Sequence, residues 1–474
     1  MVFSSYVFLF LYLAFVLGAY YGLGRLLDDV RLNRARLALL LVASLWFYGW
    51  QRFDYIALIL FSTFVDFFAA SRIAASEEPR RRRSFLVLSL VVNLGLLGFF
   101  KYFNFGVETL NDAMVLFGGQ PVASPLPDLV LPVGISFYTF QSMSYTIDVY
   151  RGVVRPSTSF LPFAAYVSLF PQLVAGPIVR YRDLAAELEK RQHTLERFAG
   201  GVFLFMLGFA KKTLIANNAG ILAASWVKTA HPGLLDAWCG AISYTVQIYF
   251  DFSGYSDMAI GLGAMLGFHF PVNFDAPYKA SSLTDFWRRW HISLSTWLRD
   301  YLYIPLGGNR GGPFRTARNL MLTMLLGGLW HGAAWNFVLW GGWHGLWLGI
   351  ERALGKRSPF SARIPGQQWA GTLLVVVFGW ILFAAPDLGV AGGLMKGGLG
   401  WNGVGTLTLR APHPATLPLI MTGIGGVLAL AFPTSTAFSR RVPGWKAVLG
   451  GLFFALGVAQ MLQQGFNPFL YFRF

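Results

Sequence analysis

Ten apolar stretches recur along this 474-residue sequence, at residues 7–24, 37–50, 55–71, 85–101, 129–147, 198–218, 237–253, 367–385, 417–432 and 446–460. A helix of about 20 mostly apolar residues crosses the roughly 30 Å hydrocarbon core of a bilayer. Lipid offers the backbone no hydrogen-bond partners, so repeated runs of this length commit the chain to spanning helices. Composition agrees: 55% of residues are hydrophobic and 13% charged, against about 25% charged in a soluble domain. This excludes a soluble enzyme and a disordered chain. The expected fold class is an all-α, polytopic membrane protein with about 10–12 transmembrane helices, forming a single integral-membrane domain over residues 1–474.

The formal charge of +16 does not point to nucleic acid, because the basic residues lie between apolar runs rather than in one patch. Positively charged loops stay in the cytoplasm. Lys and Arg collect at 25–36, 72–84, 148–159, 180–197, 254–318, 351–366 and 433–446, and Arg80–Arg83 form a continuous run. Residues 104–147 contain neither Lys nor Arg. This alternation puts both termini outside, in the periplasmic or extracellular space of a multi-pass inner (cytoplasmic) membrane protein. MVFSSY lacks the basic region of a signal peptide, so the first span is expected to remain. With Cys239 as the single cysteine, a disulfide framework and a thiolate metal cluster are excluded; no metal is expected.

Two apolar segments break the alternation. Phe160–Val179 lies between basic loops and contains Pro162, Pro171, Gly176 and Pro177. Proline removes a backbone donor and ends a helix, so a bent, re-entrant segment is expected, with its broken backbone covered by protein or a watery cavity. Asn319–Ile350 likewise has basic residues on both sides and Gly327-Gly328-Leu329-Trp330-His331-Gly332 in its middle. At about 1.5 Å per residue, His331 would lie roughly 20 Å beyond Arg318, at a glycine-rich break in a re-entrant or hairpin segment. An ionisable group at that depth is a functional-site candidate, and neutral imidazole suits general-base work near pH 7. A packed, hydrogen-bonded core histidine is the competing reading. His344 reads as a packing residue, and His193, His231, His269 and His413 as solvated loop residues.

Residues 254–318 read as a cytoplasmic amphipathic module. On a helical wheel, Trp287, Trp290, His291, Leu294, Trp297, Leu298 and Tyr301 share one face, and Arg288, Arg289, Ser293, Thr296, Arg299 and Asp300 the other. An interfacial helix explains this pattern, apart from His291, which interrupts the aromatic arc and is expected to point into protein or a cavity. Gly307-Gly308-Asn309-Arg310-Gly311-Gly312, followed by Arg315 and Arg318, suits phosphate but lacks the ending of a P-loop. Asp251 and Asp257 fall at the expected cytoplasmic end of a span, where they would orient a histidine or an arginine, or cap the helix.

Six ordered blocks carry a resemblance: LPVGISFYTFQSMSYTIDVYRG from Leu131, SLFPQLVAGPIVRY from Ser168, QIYFDFSGYSDMAIG from Gln247, FWRRWHISLSTWLRDYLYIPLGGNR from Phe286, LLGGLWHGAAWNFVLWG from Leu325, and NPFLYFRF from Asn467. They resemble the membrane-bound O-acyltransferases, most closely the bacterial branch that O-acetylates exopolysaccharides such as alginate. The resemblance implies that His331, in the LWHG block, is catalytic and that His291, in the WRRWH block, is the second histidine. It also implies a ring of tilted helices around a central tunnel. Substrate contacts are expected from Trp287, Arg288, Trp290, Arg299, Asn309, Arg310, Arg315, Arg318, Trp330, Trp335, Asp251 and Tyr255.

The function expected from these readings is O-acetyl transfer from cytoplasmic acetyl-CoA, the donor substrate, across the membrane. Lys279, Arg288, Arg289, Arg310, Arg315 and Arg318 would attract its phosphates. No bound cofactor is expected. An extracytoplasmic acetyltransferase or other polysaccharide-modifying partner would complete acetylation of an exopolysaccharide such as alginate. His331 would deprotonate the acceptor or carry the acyl group; His291 would orient the thioester or assist proton transfer. The alternatives are a D-alanyl transferase to teichoic acid, a lipid or protein O-acyltransferase, and a transporter; the last is disfavoured by the lack of an evident inverted repeat.

Overall fold

A computed structural model describes residues 1–124, 126, 129–229, 231–355, 358–360, 364–405, 407, 416–464 and 469–470. The described residues contain helices and no strand. Six helices or continuous helical runs are long and apolar enough to cross a membrane: Val7–Arg25, Tyr55–Ala74, Pro79–Leu116, Leu195–Trp226, Gln367–Ala384 and Gly444–Gln463. The expected spans at 37–50, 129–147, 237–253 and 417–432 also fall on helices, but these are shorter or more polar. His413 and most of the NPFLYFRF block lie outside the described residues.

The chain divides into two compact units, Met1–Phe198 with Gly263–Phe270, and Ala199–Leu262 with Pro271–Phe474. Within the first unit, Phe160–Val179 forms a helix Phe160–Ser168, a break at Leu169 and a single turn Phe170–Leu173. Side chains and backbone from the same unit satisfy the interrupted segment. The Phe170 N–H donates to Ser44 Oγ at 3.0 Å, Gln172 Nε2 to the Tyr166 carbonyl at 2.6 Å, and Tyr166 Oη to the Val179 carbonyl at 2.9 Å. His193 is half-buried rather than solvated: its Nε2 lies 3.0 Å from Tyr20 Oη, which also donates to the Leu266 carbonyl.

The second unit contains every candidate site residue. The helix bearing Asp251 runs from Leu234 to Met265, twelve residues beyond the expected end of its span. Asp251 and Asp257 therefore sit inside a helix rather than at its end. Packing explains the error: Gly254 and Gly208 bring two backbones together, and a Cβ at Gly254 would lie 2.8 Å from the Gly208 carbonyl oxygen. Such small residues permit close helix contact. The carboxylates meet cations of the neighbouring helix, Lys212 Nζ at 2.6 Å from Asp251 and Lys211 Nζ at 2.7 Å from Asp257.

The segment around His331 is a helical hairpin, Gly312–His331 and Trp335–Ala353, joined through residues 332–334. The two helices pack closely: a Cβ at Gly328 would strike the Phe337 carbonyl, and one at Gly341 the Met324 carbonyl. Glycines in this stretch thus serve close approach as well as the turn.

Candidate active site

His331 is the last residue of its helix and is buried. Its ring is walled by aromatics, with centroids 5.0 Å from Trp330, 5.1 Å from Trp340 and 5.4 Å from Phe383. Three helices supply this wall: the two of the hairpin and Gln367–Ala384. Trp340 also touches His344, at 5.0 Å. His344 is fully buried and packs against Trp287 as well, at 5.2 Å.

The amphipathic stretch is not one helix. It forms Leu283–Arg289 and Ile292–Leu298, separated at Trp290–His291 and followed by a π-helical turn Arg299–Tyr303. His291 occupies the break with φ 44° and ψ 54°, the left-handed region that costs a β-carbon-bearing residue strain and concentrates at functional sites. The break turns its imidazole fully inward, where its ring centroid lies 6.4 Å from that of His331. Phe252 meets the His291 ring edge-on at 4.6 Å. Phe252 is backed in turn by Phe469 at 5.8 Å, and Phe469 stacks on Tyr255 at 4.6 Å.

A cleft of about 520 Å³ opens beside this module. Of the expected substrate contacts, Trp287, Arg288, Arg299 and Asn309 line it; Thr284 and Arg352 join them. Trp287 is the inner wall, for its indole also contacts Trp340 at 5.7 Å, and Trp340 contacts His331. Trp290 is buried against Trp380 at 4.9 Å, and Trp330 against His331. Arg310, Arg315 and Trp335 are exposed, and none lines the cleft. Nor does Arg318, whose guanidinium donates to Asn319 Oδ1 at 2.9 Å. Asp251 is tied to Lys212 and accepts the Leu470 N–H at 2.7 Å.

The family model described as membrane-bound O-acyltransferase matches residues 151–391, which include both histidines. A probable alginate O-acetylase of Pseudomonas aeruginosa is 49% identical over 443 residues, covering 93% of this chain and 82% of that protein. The chain belongs to the membrane-bound O-acyltransferase family. A probable alginate O-acetylase of Pseudomonas putida is 46% identical over the full length of both. A peptidoglycan O-acetyltransferase of Helicobacter pylori is 37% identical over 77% of this chain and 74% of that protein.

As a membrane-bound O-acyltransferase, the protein is a multi-pass membrane enzyme that transfers an acyl group to oxygen. Two residues that support its site escape sequence reasoning. Glu351, buried at the end of the hairpin, accepts the Leu283 N–H at 2.6 Å, the Thr284 N–H at 2.8 Å and the Thr284 hydroxyl at 2.8 Å. A carboxylate at a helix start satisfies orphan donors, so Glu351 anchors the cleft's first helix to the hairpin. Asn273, in the loop PVNFDAP, places its Oδ1 3.2 Å from His291 Nδ1. Neither has a periodicity or spacing signal; both lie far along the chain from the groups they hold.

Proposed function

We propose that the enzyme moves an acetyl group from cytoplasmic acetyl-CoA to the far side of the inner membrane for O-acetylation of an exopolysaccharide such as alginate, acting with an extracytoplasmic partner. The observation that carries this reading is the buried His291–His331 pair, two indoles, Trp340 and Trp287, away from a cleft bearing Arg288, Arg299 and Arg352. CoA is anionic, and guanidinium groups pair well with phosphate. A thioester arm extending inward past Trp287 would bring its carbonyl toward His331. The names of the Pseudomonas and Helicobacter relatives support an acetyl donor and a polysaccharide acceptor.

The chemistry is acyl substitution. The acceptor hydroxyl loses its proton as its oxygen forms a bond to the thioester carbon; the C–S bond breaks, and the CoA thiolate leaves and takes up a proton. His331 is the residue proposed to act at the acyl carbon, as base or transient carrier, with His291 assisting. The basic loops on the cytoplasmic side and the termini outside fit a donor that enters from the cytoplasm. The test is radiolabelled acetyl-CoA with purified protein in nanodiscs, with and without an exopolysaccharide acceptor and candidate partner. Label is expected to reach the acceptor or partner and to leave free CoA. A protein that neither consumes acetyl-CoA nor transfers label would overturn the reading.

A further inference from the structure

The proton positions on His291 follow from its neighbours. Asn273 Oδ1 lies 3.2 Å from the Ser293 backbone nitrogen, 2.9 Å from Ser293 Oγ and 3.2 Å from His291 Nδ1. A backbone N–H can only donate, so the side-chain atom of Asn273 that it meets is the acceptor oxygen. The same oxygen then requires a donor from His291, which places the proton on Nδ1. In a neutral imidazole the other nitrogen, Nε2, is left with a bare lone pair. It is buried and has no hydrogen-bond partner among the described residues.

The arrangement is held from both ends. The Asn273 carbonyl accepts the Ile292 N–H at 2.9 Å, and the Asp275 N–H donates to the Arg289 carbonyl at 2.9 Å. The loop 273–275 therefore runs alongside the break that carries His291 and shares its backbone. Asn273 and His291 are both buried, and Phe252 pins the imidazole from its edge. A buried, unpartnered nitrogen is costly unless it has work to do. A left-handed backbone at the same residue adds strain that only a surrounding scaffold maintains.

We propose that Asn273 is a positioning residue that holds His291 as its Nδ1–H tautomer, so that its Nε2 lone pair is the one that assists His331 with the proton in acyl transfer. This rests on the acyl-transfer reading of the His291–His331 pair and adds to it the direction of the proton. His331 removes the acceptor's hydroxyl proton while the acceptor oxygen bonds to the thioester carbon, and the bare Nε2 of His291 is the lone pair to which that proton passes. The C–S bond then breaks, and the departing thiolate takes up the proton, so that both rings return to their starting state. Asn273 touches neither substrate; it acts through the tautomer and orientation of the ring, the role a second-layer carboxylate or amide plays for other catalytic histidines.

The tautomer is measurable without turnover. In nanodiscs, protein labelled with ¹⁵N-histidine should show His291, assigned by the signals lost in His291→Gln, protonated at Nδ1 and bare at Nε2. A proton on Nε2 in the wild-type protein would overturn the proposal, and this arm requires no change at Asn273. Kinetically, Asn273→Leu should lower kcat on the order of tenfold or more, as a wrong tautomer does elsewhere, with the KM for acetyl-CoA unchanged. Asn273→Asp still offers an acceptor to Nδ1 and should recover most of that loss. Equal activity in the Leu and Asp variants would contradict the role. A wild-type protein that turns over no acetyl-CoA would remove the acyl-transfer reading alone, leaving the tautomer measurement to decide what Asn273 does.

Discussion

The rings of His291 and His331 lie 6.4 Å apart, centre to centre, the first on a break between two short helices and the second on the last turn of a long one. The hairpin brings them together by presenting its glycine-lined turn to the module, and Glu351 ties the two at the other end.

Glu351→Ala should loosen the cleft without touching either histidine. It removes the acceptor of three hydrogen bonds, and each buried donor left unsatisfied costs about 1–3 kcal/mol. Glu351→Gln, which keeps a carbonyl oxygen, should lose less. Thermal unfolding in detergent should rank the proteins wild type, Gln, then Ala; equal melting temperatures for wild type and Ala would show that the carboxylate does not anchor the module.

Much of this site was legible in the sequence, and residue chemistry explains which parts. His331 stood out because an ionisable group at a glycine-rich break in an apolar run has few structural uses, and His291 because it interrupts an arc of tryptophans. The helical wheel assumed a continuous helix, and the left-handed backbone at His291 breaks it; an L-residue in that conformation has no composition signal. Asp251 and Asp257 resembled the polar end of a span because sequence does not reveal Lys212 and Lys211 on the neighbouring helix. Charge alone does not specify direction: of the basic residues expected to contact the donor, Arg288 and Arg299 line the cleft, where Arg352 joins them, and Arg310, Arg315 and Arg318 do not. Asn273 required the fold itself, since its partner lies across a loop.

The cleft arginines separate donor binding from chemistry. Arg288→Glu and Arg352→Glu should raise the KM for acetyl-CoA several-fold and change kcat little, because such contacts hold ground and transition states alike. Arg310→Glu and Arg315→Glu, away from the cleft, should have the smaller effect. Added salt should weaken donor binding, since exposed charges are screened beyond about 8 Å at physiological ionic strength. Equal effects from both sets of variants would move the donor site elsewhere.

His193 provides a pH signature in the other unit. Burial, reinforced by Arg36 and Arg191, pushes its pKa down from 6.5 to about 4. The folded protein therefore binds this proton less readily than the unfolded chain, so stability is full above pH 6.5 and falls as pH drops toward about 4. The melting temperature should decline across that window, and less steeply in His193→Gln. Parallel curves for the two proteins would show that His193 titrates normally.

The orientation proposed for the chain is testable with single cysteines in a Cys239→Ser background. Cysteines at Ser84 and Thr194 should react with a membrane-impermeant reagent only after the cytoplasmic side is opened, and one at Asp112 should react from outside in intact spheroplasts. Labelling of Ser84→Cys from outside would invert the topology and with it the side from which the donor enters.

The most direct measurement is acetyl transfer from radiolabelled acetyl-CoA by His331→Ala in nanodiscs, read together with donor affinity and melting temperature. Loss of a positioned acid–base group costs roughly 10²- to 10⁴-fold in rate. The kcat should fall by at least that order, with donor affinity and melting temperature close to wild type. Transfer at the wild-type rate by a folded His331→Ala protein would contradict a role for this imidazole at the acyl carbon.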